Sequence, residues 1–218
     1  MKGIAAIVLA AGASERMGRA KALLQYPAPL AGWPGPEAPN FLLACACKLR
    51  AAGAEVFAVL GHDAAEIQAR VEAQAPAFAP RWVLNPDPAR GQFSSLQTGV
   101  RAVLALAPAP AALVAPVDHP AFAIETARAL LRAWRERGAP LVKPCCEGRN
   151  GHPVLYGREA LAAIAAADAD ATARALQAQW AARAELVAVD DPGVLANIDT
   201  AEDYARLRAA FTAPPCPR

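Results

Sequence analysis

Short apolar runs alternate with longer amphipathic stretches along most of the chain. The runs are bounded by glycine, proline or polar residues, which is typical of buried strands. They predict strands over residues 3–9, 55–60, 81–84, 111–117, 140–145, 152–156 and 185–189. Because these strands alternate with helical patterns, we expect an α/β fold with a largely parallel sheet, whose ligands bind beyond the carboxyl ends of the strands.

The helices are indicated by apolar spacing and by residues typical of helix ends. One apolar stripe falls at helical spacing over residues 93–107, as on a helix packed against a sheet. Further helices are predicted over residues 40–52, 63–74, 121–137 and 200–211. Asn40 is a candidate N-cap, and Thr200 to Asp203 resembles a capping box. The elements together predict a three-layer, Rossmann-like domain on a mixed, mostly parallel sheet.

The length of 218 residues suits one ordinary domain. We predict that domain over residues 1–211. Five prolines exclude a helix or a central strand at residues 27–39, which we expect to form a surface loop. The proline-rich tail, residues 212–218, is expected to be disordered. The sequence carries no signal for an oligomeric state.

Composition narrows the possible partners. A net charge of +2 argues against nucleic acid as a main partner, and no apolar run reaches the roughly 18–20 residues of a membrane span. The apolar start is followed at once by Gly12, Ser14 and Arg16, which favours a strand and loop over a signal peptide, so we expect a cytoplasmic protein. Five cysteines without C-x-x-C spacing favour reduced, mostly buried thiols over a shared metal site.

The loop after the first predicted strand combines small and basic residues. Residues 9–21 read L-A-A-G-A-S-E-R-M-G-R-A-K. Small residues allow a ligand to approach the backbone, where successive amides can bind an anion, and Arg16 and Lys21 can reach phosphate oxygens. The spacing of Gly12 and Gly18 excludes a P-loop, and no G-x-G is present. The residues alone leave two interpretations: a phosphate-binding loop, or a strand-to-helix turn with solvated basic side chains.

Four later segments carry further candidates. Residues 85–96 place Ser94 and Ser95 at a predicted helix start, either as a cap alone or as a cap that also contacts a ligand. Asp118 follows a buried strand, where a carboxylate is well placed to bind Mg²⁺. Residues 148–156 (G-R-N-G-H-P-V-L-Y) form a turn entering a strand, and residues 197–204 read N-I-D-T-A-E-D-Y.

The pattern L-A-A-G-x-S-x-R-M-G-x-x-K resembles the signature of the molybdenum-cofactor-type nucleotidyltransferases, a branch of the larger family that makes nucleotide sugars. The later segments resemble that family's motifs in the same order, to about residue 204. The resemblance implies a nucleotide-diphospho-sugar transferase type of fold. It also implies an enzyme that uses Mg²⁺ to transfer a nucleoside monophosphate from a nucleoside triphosphate to a phosphorylated small-molecule acceptor, releasing pyrophosphate.

The resemblance also assigns roles to individual residues. The implied catalytic residues are Arg16, Lys21 and Asp118. The implied nucleotide-binding residues are Leu9, Ala10, Ala11, Gly12, Ser14, Arg16, Met17, Gly18, Lys21, Asn85, Gly91, Ser94 and Ser95. The implied acceptor-binding residues are His119, Gly151, His152 and Pro153, and the implied metal ligands are Asp118, Asn197 and Asp199.

Three positions leave alternatives open. Relatives often carry Gln or Met where this chain has His119, which either touches the acceptor or packs beneath the strand end. Asn197 replaces an aspartate of the family motif, which removes a charge from the implied metal site. Asp199 either binds the metal or caps the last helix.

The form of the motifs favours CTP and a molybdopterin-type acceptor, because L-A-A-G and G-H-P resemble cytidylyltransferases. Another sugar-1-phosphate or small-phosphate nucleotidyltransferase, including one that uses GTP, is the alternative enzyme. A non-catalytic nucleotide-binding chaperone for cofactor insertion is the alternative of a different class. Asn197 favours the chaperone, whereas Arg16, Lys21 and Asp118 argue against it.

Overall fold

The computed structural model describes residues 3–13, 17–28, 30, 33, 37–106 and 109–212. Its strands are Ile4–Ala10 (β1), Ala54–Leu60 (β2), Arg81–Leu84 (β3), Ala111–Pro116 (β4), Leu141–Cys146 (β5), Arg149–Asn150 (β6), Val154–Gly157 (β7) and Glu185–Ala188 (β8). Its α-helices are Phe41–Ala51 (α1), Ala64–Gln74 (α2), Gln92–Leu106 (α3), Ile124–Arg137 (α4), Arg158–Ala166 (α5), Ala173–Gln179 (α6) and Ala201–Thr212 (α7). Much of the predicted proline-rich loop and nearly all of the predicted tail lie outside the described residues.

All eight strands join one sheet, in the order β3-β2-β1-β4-β7-β5-β6, with β8 also paired to β5. β1 is parallel to β2 and β4, and β2 is parallel to β3. β7 runs antiparallel to its neighbours β4 and β5, whereas β8 is parallel to β5. The prediction of a mixed, mostly parallel sheet is confirmed.

The sheet has a hydrophobic core on each face, because side chains alternate along each strand. Ile4, Ala6 and Val8 of β1 belong to one core, and Ala5, Ile7 and Leu9 belong to the other. Helices α1 and α4 pack on the first side, and α3 and α5 pack on the second. The predicted three-layer α/β architecture is therefore correct.

Two helices, α5 and α6, were not among the predicted elements. Both are rich in alanine, and α5 buries only two large apolar side chains, Leu161 and Ile164. A stripe of so few large residues gives a weak periodic signal. The described cysteines, at 45, 47, 145 and 146, are free thiols, as expected. No helix in the described part of the chain is long and apolar enough to cross a membrane.

Candidate active site

Three charged side chains from distant parts of the chain meet where β1 and β4 end. The Lys21 ammonium lies 3.3 Å from Oδ2 of Asp118 and 2.5 Å from Oδ1 of Asp199. Lys21 opens a short 3-10 turn after the β1 loop, Asp118 follows β4, and Asp199 precedes α7. The neighbouring strands β1 and β4 are parallel, so their carboxyl ends lie at the same edge of the sheet. The predicted catalytic pair of Lys21 and Asp118 is thus brought together.

Backbone hydrogen bonds fix the segments that carry these side chains. The amide of Val117 donates to the Leu9 carbonyl, which extends the pairing of β1 and β4. The amide of Ile198 donates to the Asp118 carbonyl at 2.9 Å, so the segment before α7 is held directly against the turn after β4. This second bond explains how Asp199 reaches a site formed by two central strands.

The possibility that Asp199 caps the last helix does not match its side-chain contacts. The start of α7 is a capping box, in which the Asp203 amide donates to Oγ1 of Thr200 and Oδ2 of Asp203 accepts from the Thr200 amide. The Thr200 hydroxyl and the amides of Thr200 and Asp199 donate to the Asp203 carboxylate and hold its pKa down, at about 2. The Asp199 carboxylate instead faces Lys21, and its Oδ2 accepts a hydrogen bond from Asn197 at 3.0 Å.

The same cluster has the chemistry of a divalent-cation site. Oδ1 of Asp118 is buried and has no hydrogen-bond partner among the described residues. Within that part of the chain, no three His, Cys, Asp or Glu side chains converge as metal ligands. Mg²⁺ commonly binds one or two carboxylates and completes its shell with water and substrate phosphates. Asp118 and Asp199, with the amide oxygen of Asn197, fit that pattern.

A cavity of about 370 Å³ opens beside the cluster. The predicted nucleotide-binding and catalytic residues on its wall are Leu9, Ala10, Ala11, Gly12, Lys21, Gly91, Ser95 and Asp118. The wall also includes Ile67, Pro88 and Gln92, which were not predicted. Of the other predicted nucleotide-binding residues that are described, Met17, Gly18, Asn85 and Ser94 lie off this wall. Ser14 and Arg16 lie outside the described residues.

Asn85 and Ser94 support the cavity wall from behind. The Asn85 amide donates to Oγ of Ser94 at 2.9 Å and to Oγ of Ser95 at 3.0 Å, and Oγ of Ser94 lies 2.8 Å from the Gly91 carbonyl. Helix α3 begins at Gln92, so both serines lie in its first turns and neither is the N-cap. The idea that they act as caps is therefore wrong: they bond to Asn85 and shape the loop that includes Gly91.

Gly61 lets two walls of this cavity approach each other. A Cβ atom at Gly61 would lie 2.7 Å from Cβ of Pro88 and 2.8 Å from the Ala11 carbonyl oxygen. Both of these residues line the cavity. We expect Gly61→Ala to move them apart and to raise KM for the nucleoside triphosphate about tenfold, because small misplacements in a site are costly. Steady-state kinetics would measure this change.

Gly3→Ala is a matched control for Gly61→Ala, because a Cβ atom at Gly3 meets nothing within 4 Å. We expect it to leave KM unchanged. Equal KM values for the Gly61→Ala protein and the wild type would show that this contact does not set the shape of the nucleotide cavity.

A second cavity, of about 570 Å³, shares Leu9, Gln92 and Pro116 with the first. Its apolar lining comes from Phe93, Leu96, Val114 and Tyr156. Its polar lining includes Arg90, His152, Thr172, Arg174 and Gln177. Of the residues predicted to bind the acceptor, His152 is on this wall, whereas His119, Gly151 and Pro153 are not.

Helix α6 contributes part of the second cavity and was missed by motif analysis. Gln177 donates to the Tyr156 hydroxyl at 2.5 Å and accepts from the Lys143 ammonium at 2.6 Å. The Arg90 guanidinium donates to the Ala169 carbonyl just before α6. These bonds join α6 to β5, β7 and the nucleotide side. The residues 168–179 match no motif, so only the folded chain brings them to the site.

His119, next to Asp118 in the chain, and His152, on the wall of the second cavity, pack against each other with their rings tilted by 55°. Their ring centroids are 4.6 Å apart, and Nδ1 of each ring is buried without a hydrogen-bond partner among the described residues. Burial lowers both pKa values, that of His152 to about 3. Gly151 fixes this segment closely, because a Cβ atom there would lie 2.3 Å from the Val194 carbonyl oxygen. Neutral imidazoles at this place can accept hydrogen bonds without adding charge.

The low pKa of His152 predicts a loss of stability in acid. In the unfolded chain, His152 has a pKa of 6.5 and becomes protonated below that pH. In the folded protein, it stays neutral down to a pH of about 3. The free energy of unfolding is therefore expected to fall as the pH drops below 6.5, by at most about 1.4 kcal/mol per pH unit for this group. Denaturant titrations between pH 6.5 and about 4.5 would measure the slope. His152→Gln should flatten it, and identical slopes in the two proteins would exclude His152 as the cause.

A family model described as the MobA-like NTP transferase domain matches residues 6–186. The chain belongs to the MobA-like NTP transferase family. This finding confirms the prediction that it is a nucleotidyltransferase. No match was found among curated proteins.

Solved structures with the same fold cover nearly the whole chain. Rv0371c from Mycobacterium tuberculosis H37Rv is 25% identical over 94% of this chain and 97% of its own, with a TM-score of 0.74. The nucleotidyl transferase Mth528 from Methanothermobacter is 26% identical over 97% and 98%, with a TM-score of 0.71. The 4-diphosphocytidyl-2C-methyl-D-erythritol synthase of Anaerococcus prevotii is 15% identical over 97% of each chain, with a TM-score of 0.69. The predicted nucleotide-diphospho-sugar transferase type of fold is confirmed.

Proposed function

We propose that this nucleotidyltransferase transfers a nucleoside monophosphate, with CTP as the favoured donor, to a phosphorylated molybdopterin-type acceptor. The observation that carries the proposal is the contact of Lys21 with Asp118 and Asp199 beside two adjoining cavities. The first cavity would hold the triphosphate, because the small residues of the β1 loop and Lys21 form its wall. The second would hold the acceptor, with apolar surface for its ring system and Arg90 and Arg174 for its anionic groups.

In the proposed reaction, an oxygen of the acceptor phosphate attacks the α-phosphorus of the nucleotide. The bond between that phosphorus and the pyrophosphate oxygen breaks, and pyrophosphate leaves. A phosphate monoester is already mostly ionised at pH 7, so no side chain has to remove a proton. Lys21 would offset the negative charge that develops on the phosphate oxygens, which is where this type of reaction gains most of its rate.

The acidic residues of the cluster would hold the metal. Asp118 and Asp199 would bind Mg²⁺, with Asn197 as a third oxygen ligand, and the bound ion would neutralise phosphate charge. A structure of Rv0371c has been solved as a complex with manganese, at 22% identity and a TM-score of 0.69 to this chain. That complex supports a divalent cation in a protein of this fold. By the resemblance, Arg16 of the same loop would also bind the triphosphate, and Ser14 would contact the nucleotide; both lie outside the described residues.

The choice of CTP rests on residues 9–12, L-A-A-G, which line the first cavity. The direct test is to incubate the protein with Mg²⁺, each nucleoside triphosphate in turn, and reduced molybdopterin or sugar 1-phosphates. Pyrophosphate release with CTP and molybdopterin is the expected result. Release only with GTP, or only with a sugar phosphate, would reassign the donor or the acceptor.

The same assay separates the enzyme from the alternative of a non-catalytic binding protein. Asn197 is the feature that favours the alternative, because this amide stands where the family motif has an aspartate that would be a second acidic metal ligand. A protein that binds CTP tightly but releases no pyrophosphate with any acceptor would be that chaperone. Turnover that depends on Lys21 would exclude it.

A further inference from the structure

Lys48 is a buried cation that has no part in the proposed chemistry. It lies in α1, and only 4% of the residue is exposed. Its ammonium donates to the Tyr26 hydroxyl at 3.0 Å and to the Pro120 carbonyl at 2.6 Å, and it lies 4.3 Å from the centre of the Tyr26 ring. Burial lowers the pKa of Lys48 to about 8. A buried ammonium is costly, so a lysine here needs an explanation.

The two partners of Lys48 belong to the segments that carry the site. Tyr26 comes five residues after Lys21, and Pro120 comes two residues after Asp118. The Lys48 ammonium therefore joins the segment of Lys21 to the turn of Asp118, and it is not part of the wall of the nucleotide cavity.

The segment of Asp199 is tied to the same place. The Tyr204 hydroxyl in α7 donates to the Gln25 carbonyl at 2.8 Å, next to Tyr26. Two pairs of aromatic rings pack at the same place. The centroids of Tyr26 and Phe211 are 5.7 Å apart, and those of Phe41 and Tyr204 are 5.8 Å apart. The chain segments that carry Lys21, Asp118 and Asp199 are thus all connected near Tyr26, where Lys48 makes its contact.

We propose that Lys48 is a positioning residue that sets the spacing of Lys21, Asp118 and Asp199 and so controls the affinity for a metal–nucleotide complex. The proposal rests on the proposed function, since it assumes that this cluster binds that complex. Lys48 acts through the backbone of Pro120 and the hydroxyl of Tyr26 and touches no substrate. Its loss would leave a buried carbonyl and a buried hydroxyl without this donor and would let the two segments separate.

The test compares Lys48→Met, which keeps most of the side-chain volume, with Arg50→Met on the same helix. Arg50 also donates to a backbone carbonyl, that of Ala79 at 2.6 Å, but it does so away from the site. Titration with Mn²⁺ and CTP, followed by electron paramagnetic resonance and calorimetry, would give the affinity of each protein without any need for turnover. Thermal melts of each protein would be recorded, and all titrations would be run well below the lowest melting temperature among them.

We expect Lys48→Met to weaken binding of Mn²⁺–CTP about tenfold or more, and to raise KM for CTP more than it lowers kcat, since small displacements of site residues have large effects. Arg50→Met should bind like the wild type. A Lys48→Met protein with a lower melting temperature and wild-type affinity would overturn the proposal, because Lys48 would then serve stability alone.

Tyr26→Phe keeps the proposal testable if Lys48→Met does not fold. It removes one acceptor of Lys48 and leaves the ring in place, so we expect a smaller loss of affinity in the same direction. Unchanged affinity in Tyr26→Phe together with an unfolded Lys48→Met would count against a positioning role. If the wild type bound Mn²⁺–CTP but released no pyrophosphate, the proposed transfer would be contradicted. The affinities of the variants would still decide the role of Lys48. A wild type that binds neither CTP nor GTP would contradict both.

Discussion

Replacing Lys21 by methionine is expected to lower kcat for pyrophosphate release by about 10²–10³-fold, the effect of removing one group that stabilises transition-state charge. Only 12% of the Lys21 side chain is exposed, and its ammonium contacts both Asp118 and Asp199. Without it, the two carboxylates would face the triphosphate without the ammonium that contacts both of them. Single-turnover measurements with saturating CTP would separate this loss from weaker binding.

Arg101→Met is the control for Lys21→Met, because Arg101 is an exposed cation on α3 that donates to the Ala165 carbonyl. It should retain the wild-type rate. If Lys21→Met keeps more than about a tenth of the wild-type rate, the hypothesis that Lys21 stabilises the transition state is wrong, since losing such a group lowers the rate by more than about tenfold.

The strands were predictable because their signal is local. β1 and β4 are unbroken apolar runs, and β2 is apolar apart from the exposed Glu55; strands buried on both faces of a sheet have that composition. The antiparallel insertion of β7 between β4 and β5 was not predictable in the same way, since pairing depends on which strands meet in space. Alanine-rich α6 was missed, because its seven residues bury no side chain fully and leave little periodic signal.

Within the site, the residues that follow strands could be predicted from the sequence. The residues that hold those site residues in place could not. Lys21 and Asp118 stand after β1 and β4, so the fold class alone brings them to one edge of the sheet. The sequence gives no sign of the role of Lys48, because nothing local shows that Tyr26 and Pro120 will enclose it. Gln177 is similar, since its partners Tyr156 and Lys143 come from two other strands.

Asp118→Asn is expected to abolish most of the metal-dependent activity while keeping the shape of the side chain. The substitution removes one of the two carboxylates that fit Mg²⁺, and it replaces one of the two carboxylates that Lys21 contacts by a neutral amide. We expect kcat to fall by about 10³-fold and the Mg²⁺ concentration for half-maximal rate to rise, since a hard cation depends on charged oxygen ligands. Pyrophosphate release across a Mg²⁺ series, with Mn²⁺ affinity from paramagnetic resonance, would measure both effects.

Asp63→Asn tests whether loss of any carboxylate has this effect. Asp63 precedes α2, makes no side-chain cap hydrogen bond and is exposed, so its replacement should leave the Mg²⁺ dependence unchanged. An Asp118→Asn protein with the wild-type Mg²⁺ dependence would remove Asp118 from the metal site, even if its rate were low. The buried Oδ1 of Asp118 would then have to be explained by packing alone, although it has no hydrogen-bond partner among the described residues. Because an unpaired buried carboxylate oxygen is costly, the metal role accounts better for an aspartate at this position.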